Sequence, residues 1–115
     1  MTTVAEQIGA LLGQLGAGHC FGVVGSGNFH LTNALASAGV PFTATRHEGG
    51  ASTMADAYAR MSQQVALVSL HQGCGLTNAA TGIGEAAKSD SPVLVLAAEA
   101  SQGAVYSNFA MDQTG

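Results

Sequence analysis

The sequence is poor in charge, and poorest in basic residues. Only 9% of its 115 residues are charged, and three Lys and Arg stand against seven Asp and Glu, for a net charge of −4. Because no basic stripe is available, nucleic acid is excluded as the expected partner. The charged fraction is also far below the roughly one quarter that is usual in globular domains. We therefore expect other protein to cover part of the surface, and the chain to be a piece of something larger.

Long apolar runs, secretion signals and disulfide frameworks are lacking as well. No apolar stretch approaches the ~18 residues of a membrane helix, and residues 1–7 lack the basic region and apolar core of a signal peptide. The two cysteines, Cys20 and Cys74, do not form a disulfide framework of the secreted type. These absences predict a cytoplasmic chain that has no membrane contact and keeps its thiols reduced.

What the sequence does have is a high hydrophobic content, 47%, arranged as short apolar runs between helical patterns. Strands are predicted at residues 19–24, 40–44, 65–70 and 92–98. Helices are predicted at residues 3–15, 31–38, 48–60 and 76–87. This alternation predicts right-handed βαβ units, and hence one α/β domain over residues 1–115 with a doubly wound parallel sheet. Residues 100–115 show no apolar period and are predicted to form a loop.

The chain is organised around residues 45–60, in which the second strand turns into a helix. Small or apolar residues there follow the i, i+3, i+4, i+7 spacing of one buried helix face: Ala51, Met54, Ala55 and Tyr58. Glu48 then lies in the first helical turn, at the carboxyl edge of the sheet, where open α/β sheets usually bind ligands. Gly49 and Gly50 leave room for a flat group to approach its carboxylate.

The same spacing also fits a structural role for Glu48. Thr45-x-x-Glu48 matches a capping box, in which Glu48 occupies the third helical position and accepts a hydrogen bond from the backbone N–H of Thr45. Spacing alone leaves both roles open.

A family resemblance favours the first role. Residues 46–48 (Arg-His-Glu) and 55–60 (Ala-Asp-Ala-Tyr-Ala-Arg) resemble the glutamate helix of thiamine diphosphate-dependent enzymes of the acetolactate synthase and benzoylformate decarboxylase group. In that family the glutamate bonds the pyrimidine ring of the cofactor and favours its protonation at N1′, while the cofactor acts as electron sink. The resemblance implies that Glu48 is catalytic and cofactor-binding, and that the substrate is a small 2-oxo acid.

Two glycine turns follow predicted strands. Neither completes a dinucleotide fingerprint, because His30 and Asn78 stand where a third glycine is needed, and no Walker phosphate loop occurs. Each turn also suits a tight βα connection that needs positive φ. The second turn resembles the Gly-Pro-Gly-x-x-Asn turn of the family, with cysteine in place of proline. The residues that the resemblance implies in cofactor binding, besides Glu48, are Gly25, Gly73, Cys74, Gly75 and Asn78.

Ser26 and His71 are the candidates for contact with the substrate. In benzoylformate decarboxylase a serine in the first loop and a histidine at the end of the corresponding strand face the substrate, and Ser26 and His71 match these positions. The resemblance implies that both are catalytic, with the histidine shuttling protons at neutral pH. Structural alternatives stay open: His71 as a strand-end histidine bonded to a backbone carbonyl, and Ser26 as a turn serine that caps the next helix.

Members of this family are several times longer than this chain. Their second domain holds the cofactor's diphosphate through Mg²⁺, with a Gly-Asp-Gly motif that this sequence lacks. The resemblance therefore implies an incomplete pyrimidine-binding domain, as a fragment or a separate subunit. Its expected partner is a diphosphate-binding domain or subunit, in a dimer or tetramer. We assign no metal to the chain itself, because His19, His30 and His47 show no ligand spacing.

Two functions of other classes remain open at this stage. One is a non-catalytic binding module that has kept the same fold. The other is a mononucleotide-binding protein that uses the Gly25 turn, although the missing third glycine counts against it.

Overall fold

The structure, a computed structural model, describes residues 2–99, so the loop predicted at residues 100–115 lies outside the described part of the chain. Helices and strands alternate as predicted. The elements are α1 (Val4–Gln14), β1 (His19–Gly22), α2 (Phe29–Ser37), β2 (Phe42–Ala44), α3 (Glu48–Ser62), β3 (Ala66–Leu70), α4 (Cys74–Lys88) and β4 (Val93–Ala97). The strands pair in parallel, in the order β2-β1-β3-β4.

Helices cover both faces of the sheet, which makes it doubly wound as predicted. The cluster on the α3 and α4 face consists of Phe21, Ala51, Ala55, Ala59, Ala66, Val68, Leu70 and Ala79. The cluster on the α1 and α2 face consists of Cys20, Leu35, Val40 and Leu67. Every residue of β3 is buried, because this strand lies inside the sheet and is covered from both sides.

Small residues line the contact between α3 and α4 and bring the two helices close together. A Cβ added at Gly82 would lie 2.6 Å from Ser52 Cβ. Ser52 Oγ donates to Ala79 O at 3.0 Å across the same contact. The buried stripe of α3 therefore includes Ser52 and Asp56. The predicted burial of Met54 is wrong, since this side chain is 47% exposed.

An ion-pair network joins α3 to α4 and to the start of β4. Asp56 is buried, and its carboxylate accepts hydrogen bonds from Arg60 Nε and Nη2 at 3.0 and 2.7 Å. Ser91 Oγ donates to the same carboxylate, and Arg60 Nη2 also reaches Glu85 Oε1 at 3.1 Å. The hydrogen bonds from Arg60, and then the one from Ser91, hold the pKa of Asp56 below its usual value.

The first helix, α1, leaves much of its apolar surface uncovered. Val4 and Leu11 of α1 are 73 and 54% exposed, and Leu15, its C-cap, is 72% exposed. The helix contacts α2 through a glycine, because a Cβ added at Gly9 would lie 2.7 Å from Ala34 Cβ. α1 therefore packs on α2 through the small residues Gly9 and Ala34, while its large apolar side chains remain exposed.

Both cysteines are free thiols, in different surroundings. Cys20 is fully buried, and burial raises the pKa of its thiol to about 12, whereas Cys74 is exposed. None of the helices within residues 2–99 is long and apolar enough to cross a lipid bilayer.

Helices α2, α3 and α4 all begin at the carboxyl edge of the sheet. β1 ends at Gly22, earlier than predicted, and the carbonyl of the next residue, Val23 O, accepts from the Asn28 side chain at 3.2 Å instead of from a neighbouring strand. β1 leads through α2 to the edge strand β2, whereas β3 leads through α4 to the opposite edge strand, β4. The exit loops of β1 and β3 therefore flank the topological switch point, where doubly wound sheets bind ligands.

Candidate active site

Glu48 is the first residue of α3 and does not form the capping box. His47 is the N-cap, and its Nδ1 accepts from the Gly49 N–H at 2.9 Å. Thr45 N donates to Gly22 O at 2.8 Å, which extends the pairing of β2 with β1 and delays the start of the helix. The capping-box interpretation of Thr45 and Glu48 is therefore wrong, and the carboxylate is available for another contact.

The Glu48 carboxylate is buried without a cation among the described residues. Glu48 is 9% exposed, and its Oε1 accepts from Asn78 Nδ2 of α4 at 3.2 Å. Both salt bridges found within residues 2–99 are made by Arg60. Burying a charge is costly unless it is paired. The arrangement therefore suits a ligand that brings a protonated or positively charged nitrogen to Glu48.

His71 follows β3 directly and lies against the loop after β1. Its Nδ1 accepts from the Gly27 N–H at 3.0 Å. Cβ atoms added at Gly25 and Gly27 would lie 2.9 Å from His71 Cγ and 2.7 Å from His71 Nδ1. These glycines are required by the close imidazole, since neither has a positive φ. The Gly27 N–H donates to His71 Nδ1 and the Gly25 N–H donates to Asn28 Oδ1, so neither amide is left to bind a phosphate, which argues against the mononucleotide interpretation.

The second glycine turn lies between His71, which contacts the loop after β1, and Asn78, which contacts Glu48. Gly73 has φ +54°, so this position does need glycine for its backbone conformation. Cys74 begins α4 and is exposed, while Gly75 is buried, with a Cβ position 3.6 Å from His71 Cβ. The Gly73 turn and the first turns of α4 thus lead from His71 to Asn78, the residue that contacts Glu48.

Buried polar residues that hold the first loop were not among the predicted site residues. Asn28 is 3% exposed, and its Oδ1 accepts from the Gly25 N–H at 2.8 Å. Its Nδ2 donates to Val23 O and to Ser69 Oγ, at 3.2 and 3.0 Å. Thr32 Oγ1 lies 3.3 Å from Ser69 Oγ. The signal in the sequence is Ser69, a polar residue within an apolar strand, because a buried hydroxyl needs a hydrogen-bond partner.

Ser26 and Gln72 flank this arrangement. Ser26 is exposed, and Asn28, rather than Ser26, occupies the N-cap position of α2. Gln72 is 7% exposed, and its Nε2 has no hydrogen-bond partner among the described residues. The candidate residues thus form two groups at one edge of the sheet: Glu48 with Asn78, and the first loop with His71.

The described residues offer no metal site of their own. Within residues 2–99, no group of three or more His, Cys, Asp and Glu is placed to hold a metal ion. A depression of about 760 Å³ lies between α1 and α2, where His30 and Asn33 line it, and none of the candidate site residues belongs to it. The candidate residues lie instead along the carboxyl edge of the sheet.

Comparison with known families identifies the chain. The family described as "Thiamine pyrophosphate enzyme, N-terminal TPP binding domain" matches residues 2–114. The chain belongs to this family. The family predicted from residues 46–60 is thereby confirmed, and so is thiamine diphosphate, also called thiamine pyrophosphate, as the family's cofactor.

Curated relatives of the thiamine pyrophosphate enzyme family are similar over most of the chain. The probable 2-ketoarginine decarboxylase of Pseudomonas aeruginosa is 37% identical over 94 residues, which are 82% of this chain and 17% of that protein. The acetolactate synthase large subunit of Buchnera aphidicola subsp. Schizaphis graminum is 35% identical over 96 residues, 83% of this chain and 17% of that protein. The chain thus spans about a sixth of the length of these two relatives.

Solved structures confirm the fold of this thiamine pyrophosphate enzyme domain. The benzoylformate decarboxylase from Polynucleobacter necessarius superposes with a TM-score of 0.80 at 23% identity, over 91% of this chain and 20% of that one. The residues of the site also fit the cofactor. A buried carboxylate that lacks a cation, beside the side-chain amide of Asn78, suits an aminopyrimidine that gains a proton.

Proposed function

We propose that this chain is the pyrimidine-binding part of an enzyme that uses thiamine diphosphate to act on 2-oxo acids, by decarboxylation, carboligation or both. The observation that carries the proposal is the Glu48 carboxylate, which is buried at the start of α3 with Asn78 as its donor. A carboxylate in this setting favours the protonated form of a nitrogen placed against it. The bound cofactor supplies the electron sink for cleavage next to a carbonyl.

The cofactor-binding residues of this proposal contribute either a side chain or the backbone. Glu48 binds the protonated pyrimidine nitrogen, and Asn78 keeps its carboxylate in place. Gly25, Gly73, Cys74 and Gly75 contribute backbone at the carboxyl edge, where Gly73 and Cys74 are exposed and Gly75 is buried. The support is their common position at the switch point between β1 and β3, together with the positive φ of Gly73.

Ser26 and His71 act on the substrate side of the same edge. Ser26 is exposed in the first loop, and His71 is held against that loop by the Gly27 N–H. In this proposal both contact the 2-oxo acid, and decarboxylation is favoured over carboligation because acetolactate synthases generally lack the histidine. The similarity to a probable decarboxylase and to an acetolactate synthase large subunit supports the substrate class without choosing between the two reactions.

The partner in the proposal is a diphosphate-binding domain or subunit that holds Mg²⁺ and completes the site in a cytoplasmic homo-oligomer. The short span of the chain relative to its relatives supports this. So do the exposed apolar side chains, among them Val4, Leu15 and Met61 at 73, 72 and 86% exposure, which a partner surface would cover.

The test uses the full protein that contains this chain, with and without thiamine diphosphate and Mg²⁺. Pyruvate and an aromatic 2-oxo acid are supplied separately, and the products are identified. We expect cofactor-dependent consumption of one of them, giving CO₂ with an aldehyde, or a carbon–carbon product from two 2-oxo acids. If neither acid is consumed, the decarboxylation and the carboligation forms of the proposal are both contradicted. Cofactor binding without turnover identifies a non-catalytic module of the same fold.

A further inference from the structure

A backbone amide fixes which nitrogen of His71 carries its proton. The Gly27 N–H donates to His71 Nδ1 at 3.0 Å, and a backbone N–H has no acceptor capacity. Nδ1 must therefore present its lone pair, so neutral His71 carries its proton on Nε2. We infer that His71 acts as a fixed hydrogen-bond donor through Nε2–H, and not as the proton shuttle that its position in the sequence suggests. This inference rests on the proposed function and deepens it.

The hydrogen bond is held by close contact between the imidazole and the loop. A Cβ at Gly25 would lie 2.9 Å from His71 Cγ, and a Cβ at Gly27 would lie 2.7 Å from His71 Nδ1. Real side-chain carbons do not approach other atoms so closely. Glycine at both positions is therefore what lets the ring reach the amide.

The loop itself is anchored to the strand that carries His71. Asn28 bonds Gly25 N–H through Oδ1 at 2.8 Å, and its Nδ2 donates to Ser69 Oγ of β3 at 3.0 Å. Ser69 is fully buried and lies two residues before His71. Asn28 and Ser69 are thus positioning residues, because they set the distance between the Gly27 amide and the imidazole.

The fixed tautomer decides what His71 offers to a substrate. To shuttle a proton, Nε2 would have to accept one, and this requires a hydrogen on Nδ1, facing the Gly27 N–H. A fixed Nε2–H instead donates to an oxygen and stabilises negative charge that develops there. The carboxylate and carbonyl oxygens of a 2-oxo acid are acceptors of this kind.

The direct test is the ¹⁵N NMR spectrum of the histidine rings in the full protein, before any cofactor or substrate is added. His71→Gln identifies the His71 signals by their disappearance. In the neutral ring we expect a directly bonded proton on Nε2 and none on Nδ1. Gly27→Ala, which crowds the ring, should abolish this preference, whereas Gly84→Ala, whose Cβ meets nothing within 4 Å, should preserve it. A neutral His71 ring that carries its proton on Nδ1 in the wild-type protein overturns the inference.

A second measurement compares two amide variants of the assembled enzyme. The amide of His71→Gln reaches roughly the position of Nε2, whereas that of His71→Asn reaches only that of Nδ1. For a fixed donor, kcat should fall about tenfold in the glutamine variant and by about 10²–10³ in the asparagine variant. Equal losses in both variants overturn the inference and restore the shuttle. Because the NMR experiment needs no cofactor, it tests the tautomer of His71 independently of the proposed function.

Discussion

Asn78 Nδ2 donates to Glu48 Oε1 at 3.2 Å, although the two residues are 30 positions apart and lie on different helices. The contact between α3 and α4 thereby sets the position of the carboxylate that carries the proposed chemistry. Neither salt bridge within residues 2–99 involves this carboxylate, so the hydrogen bond from Asn78 is a main determinant of its orientation.

Removing the amide should weaken the site. Asn78→Ala should raise the Kd for thiamine diphosphate in the full protein by about tenfold, since a hydrogen bond to a charged group is worth about 1.5 kcal/mol or more. Asn78→Asp should weaken binding further, because it places a second carboxylate against Glu48. Calorimetric titration measures the Kd of both Asn78 variants, and Asn33→Ala, a change at an exposed asparagine, is the control. Unchanged binding by Asn78→Asp would show that Asn78 does not serve the cofactor.

Filling the contact between the two helices should damage both stability and binding. A Cβ at Gly82 collides with Ser52, so Gly82→Ala should lower the free energy of unfolding by about 1–3 kcal/mol. Because α4 carries Asn78, cofactor binding should weaken as well. Gly84→Ala is the matched control on the same helix, since its Cβ meets nothing within 4 Å. Urea unfolding compares them, and equal midpoints for the two variants contradict the packing described.

The ion pair between the buried Asp56 carboxylate and the exposed Arg60 should make stability depend on pH in the acid range. The hydrogen bonds from Arg60 and Ser91 lower the pKa of Asp56 in the folded chain, whereas the unfolded chain keeps a value near ~3.9. The stabilising contribution is therefore complete above pH ~4 and is lost as the pH falls through the lower folded value. Asp56→Asn should flatten this acid dependence, and the exposed Asp90→Asn should not. Unfolding curves at pH 7, 4 and 3 measure how much of the free energy of unfolding is lost on acidification. An equal loss in the wild type and in Asp56→Asn would show that the ionised Asp56 carboxylate does not stabilise the fold.

The fold was predictable because each strand and helix has its own local pattern of apolar residues in the sequence. Four short apolar runs separated by helical patterns are enough to predict a parallel, doubly wound sheet. The position of Glu48 at the carboxyl edge follows from the same pattern, because a strand that turns directly into a helix must place that turn there. Glu48 and Asn78 could both be named in advance, although their hydrogen bond could not.

The errors arose where distant parts of the chain decide the local structure. The helix at Glu48 starts later than its capping pattern suggests, because Thr45 N pairs with Gly22 O of another strand. Met54 fits an apolar helix face, but α4 packs on the neighbouring side of α3, against Ser52. The role of Asn28 depends on Ser69, 41 residues away, and no local pattern marks such a pair.

The measurement that tests the central claim most directly is proton exchange at the reactive carbon of bound thiamine diphosphate in the Glu48→Gln variant. NMR in deuterated solvent follows this exchange in the full protein without any substrate. An amide does not favour the protonated pyrimidine nitrogen as a carboxylate does, so we expect exchange and turnover to fall by at least about 10². Stability should change by about 1 kcal/mol or less, the usual worth of an acidic residue at a helix N-terminus. The matched control is Glu6→Gln, the same change in the first turn of α1. A Glu48→Gln protein that is less stable, yet exchanges and turns over like wild type, would contradict the account.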